Sequence, residues 1–75
     1  MRFIIVTEVI EYPVPRKGIQ ILYQEALLNV NHIVSFKGLS SPGDYAEDRN
    51  SKIQTTTGVL YARESREDLI KLIIK

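Results

Sequence analysis

His32 is the only histidine in the chain and cysteine is absent, so beyond one imidazole the chemistry open to the chain rests on carboxylates, hydroxyls, lysines and arginines. A serine or threonine nucleophile needs a base within hydrogen-bond reach. His32 sits in Asn29-Val30-Asn31-His32-Ile33 with no Gly-x-Ser-x-Gly elbow beside it. Its place before an apolar run fits a turn histidine that fixes a backbone carbonyl or tops a sheet. Without thiolates a structural zinc site of the cysteine kind is excluded, and His32 alone cannot build an imidazole site. Asp44, Glu47 and Asp48 are the best carboxylate cluster, interleaved with Tyr45 and Arg49. They lack the spacing of a calcium loop, which leaves a weak magnesium site or, more simply, a solvated acidic loop. Gly18, Gly38, Gly43 and Gly58 are isolated, so no glycine-rich phosphate cradle exists. The expectation is a protein with no catalytic residue, no cofactor and no metal: not an enzyme.

Basic side chains gather loosely at Arg16-Lys17, Arg49 to Lys52 and Arg63 to Arg66. Lys52, Tyr61, Arg63 and Arg66 form a candidate nucleic-acid contact set, because aromatic rings on a sheet can stack on bases while arginines hold phosphates. Composition argues against a dedicated binder: ten basic and nine acidic residues leave a net charge of +1. The same balance gives no reason to expect an anionic membrane as partner. No apolar run approaches the length that spans a bilayer, and the opening Phe3-Ile4-Ile5-Val6 stops at Thr7-Glu8, too short for a secretory signal. Absence of cysteine fits a reducing compartment, and the chain is read as cytoplasmic.

The elements that would carry these residues make one small domain over 1–75, with an apolar share of 44%. Residues 2–11 are rich in β-branched side chains and apolar on both faces, which predicts a strand covered on two sides. Pro13 and Pro15 punctuate residues 12–18, predicting a stiff connection outside any sheet. Residues 19–30 fit a helical template through Ile19, Leu22, Tyr23, Ala26, Leu27 and Val30, and a strand through Ile19, Ile21 and Tyr23. No N-cap residue precedes them. A hairpin partner for the first strand, kinked or bulged near Gln24-Glu25, is the simpler reading, and the choice stays open. Asn29 to Asn31 predict a turn, and residues 33–37 a strand.

Residues 38–51 form a long polar connection containing Pro42-Gly43, of a length associated with functional or disordered loops. Residues 52–57 and 59–63 predict a hairpin around Thr57-Gly58. Ser65 caps a final helix, with Asp68 completing a capping-box-like pair and Glu67 and Lys71 matching the dipole. Leu69, Ile70, Leu72, Ile73 and Ile74 make that helix more apolar than packing on one sheet requires. Ile70 and Ile74 are the surplus. The fold class is therefore α+β, mostly β, with about five antiparallel strands in a small curled or barrel-like sheet and one C-terminal helix.

The run Leu28-Asn29-Val30-Asn31-His32-Ile33-Val34-Ser35-Phe36 resembles the "LN-x-x-x-I" segment of the small flagellar FlbD-type proteins. Ile53-Gln54-Thr55-Thr56-Thr57-Gly58, followed by Val59-Leu60-Tyr61-Ala62-Arg63-Glu64-Ser65, is similar to that family's hairpin and its "V-x-E-S" entry into the last helix. Phe3 to Thr7 is similar to its first strand. Many small bacterial and phage proteins share this rhythm, and the DNA-binding LytTR domains have a comparable hairpin. The chain departs from the family in residues 12–26 after the first strand and in the acidic stretch 38–51 where the family has a short turn. The resemblance implies a strand–turn–strand–helix architecture and a non-enzymatic role, and it supplies no catalytic residues.

Three functions are expected from these readings, in order. The first is a non-catalytic interaction module, a homo-oligomer acting through a protein partner, with Asp44, Tyr45, Glu47, Asp48, Arg49, Ile70 and Ile74 as candidate contacts. A chain this short holds a core worth roughly 3–5 kcal/mol, and self-association is the remaining route to more. The second is sequence-tolerant nucleic-acid binding by the sheet. The third is sequestration of a nucleotide signal by a phage-type counter-defence protein, in a pocket lined by residues 38–51 and arginines.

Overall fold

A computed structural model of the chain describes residues 2–39 and 49–74. Five strands form a single antiparallel sheet: β1 (Phe3–Val14), β2 (Gly18–Asn29), β3 (Ile33–Gly38), β4 (Ser51–Thr55) and β5 (Gly58–Ala62). The spatial order is β2-β1-β5-β4-β3. The end strands do not meet, so the sheet is open rather than a closed barrel. Helix α1 (Arg66–Ile74) packs on one face.

Strand alternation sorts the side chains between that helix face and the far face. On the helix face Ile4 and Val6 of β1, Ile53 of β4 and Ala62 of β5 close over Leu69 of α1, with Leu28, Ile33, Phe36, Leu72 and Ile73 packed around them. The core is small, and it sits at one end of β1. Beyond it the β1–β2 hairpin runs on as a two-stranded ribbon, because β1 pairs with β5 only at Glu8↔Ala62. This gives principal extents of 44 × 22 × 17 Å and a radius of gyration of 12.9 Å. A compact chain of this length would have about 11 Å.

Pro13 proved compatible with a strand, so the connection expected over 12–18 narrows to a turn at 15–17. β1 continues through Tyr12 and Pro13 to Val14, in register with Gly18 to Gln20. The reason lies in where the missing donor would have pointed. Val30 N donates to Arg2 O at 2.9 Å, one step beyond the Phe3↔Asn29 pair. Hydrogen-bonded pairs alternate along an antiparallel ladder. Even-numbered residues of β1 therefore bond to β2, and odd-numbered ones face the β5 side. Pro13 is odd, and β5 has already diverged, so its lack of an N–H removes no ladder bond.

Pro15 then leads the turn, where Lys17 N bonds Val14 O at 3.1 Å. Arg16 takes φ 68°, the positive value that a type II turn requires at its third position.

Residues 19–30 resolve to strand, and the expected kink at Gln24-Glu25 is absent: Glu8↔Gln24 and Thr7↔Glu25 lie in unbroken register. Asn29 ends β2 and caps the short 3-10 turn Val30–His32, its side chain accepting from Asn31 N at 2.9 Å. The β4–β5 hairpin closes one residue earlier than expected, with Thr55 opposite Gly58 and Thr56-Thr57 as the loop. Thr55 Oγ1 donates to Gly58 O at 2.9 Å and holds that loop. Ser65 Oγ accepts from Asp68 N at 3.2 Å, as its capping role demands. At the other end of α1, Arg2 donates to Leu72 O at 2.7 Å, placing a cation on the negative end of the dipole.

Candidate interaction surface

Three regions of the described surface carry enough exposed chemistry to matter. The first is the seam where β1 and β5 part. Thr7 O still accepts from Arg63 N at 2.9 Å, but Thr7 N finds no strand and donates instead to Glu64 Oε1 at 2.7 Å. One pleat further along, Val9 O accepts from Arg49 Nε at 3.2 Å. The Arg49 guanidinium also lies 4.0 Å from the centre of the Tyr61 ring. Arg49 and Glu64 thus supply the donor and acceptor that continued pairing with β5 would have given β1.

Ser51 is fully buried beside this seam and donates to Glu64 O at 2.8 Å, while Asn50 Nδ2 donates to Arg63 O at 2.7 Å. Neither Ser51 nor Glu64 stood out by type or spacing. The only signal was the polar pair Asn50-Ser51 placed at the very start of an alternating strand.

The second region is the far face of β3, β4 and β5. Lys37 stands directly opposite Lys52, and Lys52 opposite Tyr61, making one row across three strands. Ser35, Phe36, Lys37, Lys52 and Gln54 border a hollow of about 300 Å³. The suggested nucleic-acid set is only partly assembled. Lys52, Tyr61 and Arg63 share this face, whereas Arg66 opens the helix, with its Cβ beside Gly38. The aromatic rings of the face already have cations on them: Arg49 over Tyr61, and Arg63 at 5.8 Å from the Tyr23 ring.

The third region is the β1–β2 ribbon. Its far face exposes Phe3, Ile5 and Leu27, at 49%, 56% and 65% of their accessible surface, with Ile5 and Leu27 directly opposite one another. Ile19 and Ile21 extend the apolar strip toward the tip, and Leu22 and Tyr12 are exposed on the other side of the ribbon. Glu11, Tyr12, Pro13 and Ile19 border a second hollow of about 290 Å³ there. A strand covered on both sides was expected for residues 2–11. One side is covered by α1, and the other is covered only at Val9.

Of the residues proposed as interaction contacts, Asp44, Tyr45, Glu47 and Asp48 lie outside the described residues. Arg49 is half-buried and committed to the seam. Ile70 is half-buried and Ile74 is 75% exposed. His32 meets the sheet through its backbone carbonyl, which accepts from Thr56 N at 2.9 Å, and its side chain is exposed. Among the described residues no three of His, Cys, Asp and Glu are placed to hold a metal ion, and no helix is long and apolar enough to cross a membrane. No family model, curated protein or solved structure matches the chain.

Proposed function

We propose that this protein is a non-catalytic interaction module that self-associates and works by binding other protein, in a cytoplasmic setting. The observation that carries the reading is the uncovered far face of the β1–β2 ribbon. Phe3, Ile5 and Leu27 lie side by side on a hairpin paired without a bulge. Single exposed hydrophobics need no explanation, but a contiguous group marks an interaction surface. The resemblance of residues 28–36 and 53–65 to the FlbD-type proteins is in keeping with a non-enzymatic role and brings no flagellar one. The test is a double replacement, Ile5→Thr with Leu27→Thr, compared with the native chain by native mass spectrometry. Both positions keep β-compatible residues and neither is in the core, so the melting temperature stays within a few degrees. The native protein is expected to be oligomeric, and the double variant to associate at least tenfold more weakly. A native chain that is strictly monomeric throughout the micromolar range would overturn the proposal.

A second reading, binding of an anionic strand such as single-stranded nucleic acid, is favoured by one observation: Lys37 and Lys52 sit directly opposite each other. Like charges in that position destabilise a sheet, and a bound phosphate would relieve them. Affinity would then fall steeply with salt, and Lys37→Ala would reduce the salt slope by about 1. Absence of binding to DNA and RNA at low salt removes this reading.

A further inference from the structure

The two edges of the sheet are built differently. β3 is short, carries Lys37 and has a register irregularity between Ile33 and Ser35. These are the features by which natural sheets blunt an edge. β2 has none of them. It is twelve residues long, Gly-Ile-Gln-Ile-Leu-Tyr-Gln-Glu-Ala-Leu-Leu-Asn, with no proline and no lysine or arginine, and it pairs with β1 without a bulge. Its even-numbered residues bond to β1, so the N–H and C=O groups of Ile19, Ile21, Glu25 and Leu27 point outward along the edge.

We infer that β2 pairs with β2 of a second copy of this chain, antiparallel about a two-fold axis at Gln24, to give one continuous sheet. The reading rests on the interaction module proposed above and names its first partner. About that point four apolar residues of β2 find apolar partners, while Tyr23 falls opposite Glu25 and Gln20 opposite Leu28. Ile21 falls opposite Leu27 of the second copy and Leu22 opposite Ala26, each pair occurring twice by symmetry. Gln24 lies on the axis; its Nε2 donates to Glu8 Oε1 at 3.1 Å within the chain, and the amide keeps a second donor and its oxygen for the copy opposite.

Sliding by one pleat in either direction loses this match. An axis at Glu25 sets two carboxylates face to face, and an axis at Tyr23 sets Ile21 against Glu25. Registers with the axis between residues invert one strand and break the continuity of the faces. Pairing of Ile19 with Asn29 and of Ile21 with Leu27, each twice by symmetry, adds about eight ladder bonds. It also brings Leu27 and Ile21 of both copies together on the far face, lengthening the apolar strip in each direction.

Cysteine scanning tests the register, because the chain has no cysteine of its own. Even-numbered residues of β2 occupy non-hydrogen-bonded positions in the new ladder, where Cα atoms opposite each other approach to about 4.5 Å, within disulfide range. Gln24→Cys should therefore oxidise to a covalent dimer in near-quantitative yield. Leu22→Cys, which faces Ala26, should remain largely monomeric on denaturing gels. Ile21→Pro supplies a backbone test: its N–H points outward, and proline is tolerated on edge strands in that orientation. It should weaken association at least tenfold with the circular dichroism spectrum unchanged. A dimeric native protein whose cross-links peak at position 23, 25 or outside β2 overturns the register while leaving the interaction module intact. A monomeric native protein overturns both. If Ile21→Pro does not fold, the cysteine series alone decides.

Discussion

Arg49 illustrates how a residue's role depends on what its backbone neighbours lack. Its place in the sequence among acids reads as a surface contact. Its guanidinium instead bonds Val9 O and lies on Tyr61, at the point where β5 stops following β1. A planar cation that bonds edge-on and stacks face-on cannot be copied by an ammonium. Arg49→Ala is expected to cost about 1–3 kcal/mol in chemical denaturation, the range for losing a charge-assisted hydrogen bond and leaving its acceptor unmade, and Arg49→Lys should recover less than half of it.

Ser51 is the buried hydroxyl of the same seam, and Ser51→Ala is expected to cost about 1–2 kcal/mol by the same reasoning. Glu64→Gln keeps an acceptor for Thr7 N and should be much milder than Glu64→Ala. Equal losses from the two Glu64 variants would show that the side chain does not hold that N–H. None of these roles could be read from residue types. Each depends on where two strands separate, which is a property of the sheet.

Among the elements, the C-terminal helix and the β4–β5 hairpin were legible because local chemistry decides them. Ser65 with Asp68 marks the helix start, and Thr and Gly in a short alternating stretch mark the hairpin. The β1–β2 ribbon was harder. Pro13 reads as a breaker until the side on which its donor is missing is known, and that depends on pairing. Residues 19–30 carry helix and strand periodicity together, and only the long partner strand resolves the choice.

The turn between these strands holds a specific cost. Arg16 at φ 68° pays about 1 kcal/mol or more relative to glycine in left-handed backbone, part of which glycine returns as chain entropy. Arg16→Gly should therefore stabilise the protein by up to about 1 kcal/mol, seen as a higher denaturation midpoint with unchanged slope. A lower midpoint would mean that the arginine side chain makes a contact that outweighs the strain.

For the molecule as a whole, two facts belong together. The buried core is confined to a handful of side chains around Ile53 and Leu69, and a long apolar ribbon with an unblunted edge projects past it. Mostly-β composition, one sheet and a single terminal helix followed from pattern. Which strands would be edges did not, because strand order emerges only when non-local pairs form. In the sequence the acidic stretch 38–51 and the apolar surplus of the helix stand out by length and composition. The ribbon offers a better-defined surface, because its edge strand is twelve residues long and unbulged and its far face exposes Phe3, Ile5 and Leu27.

Such a molecule gains stability when it associates, so its melting temperature should rise with protein concentration. The most direct test of the account is sedimentation velocity on the native chain across the micromolar range, run beside Ile21→Pro. The account predicts a concentration-dependent shift to the dimer mass for the native chain and a folded monomer for the variant. A native protein that sediments as a monomer at every concentration would contradict it.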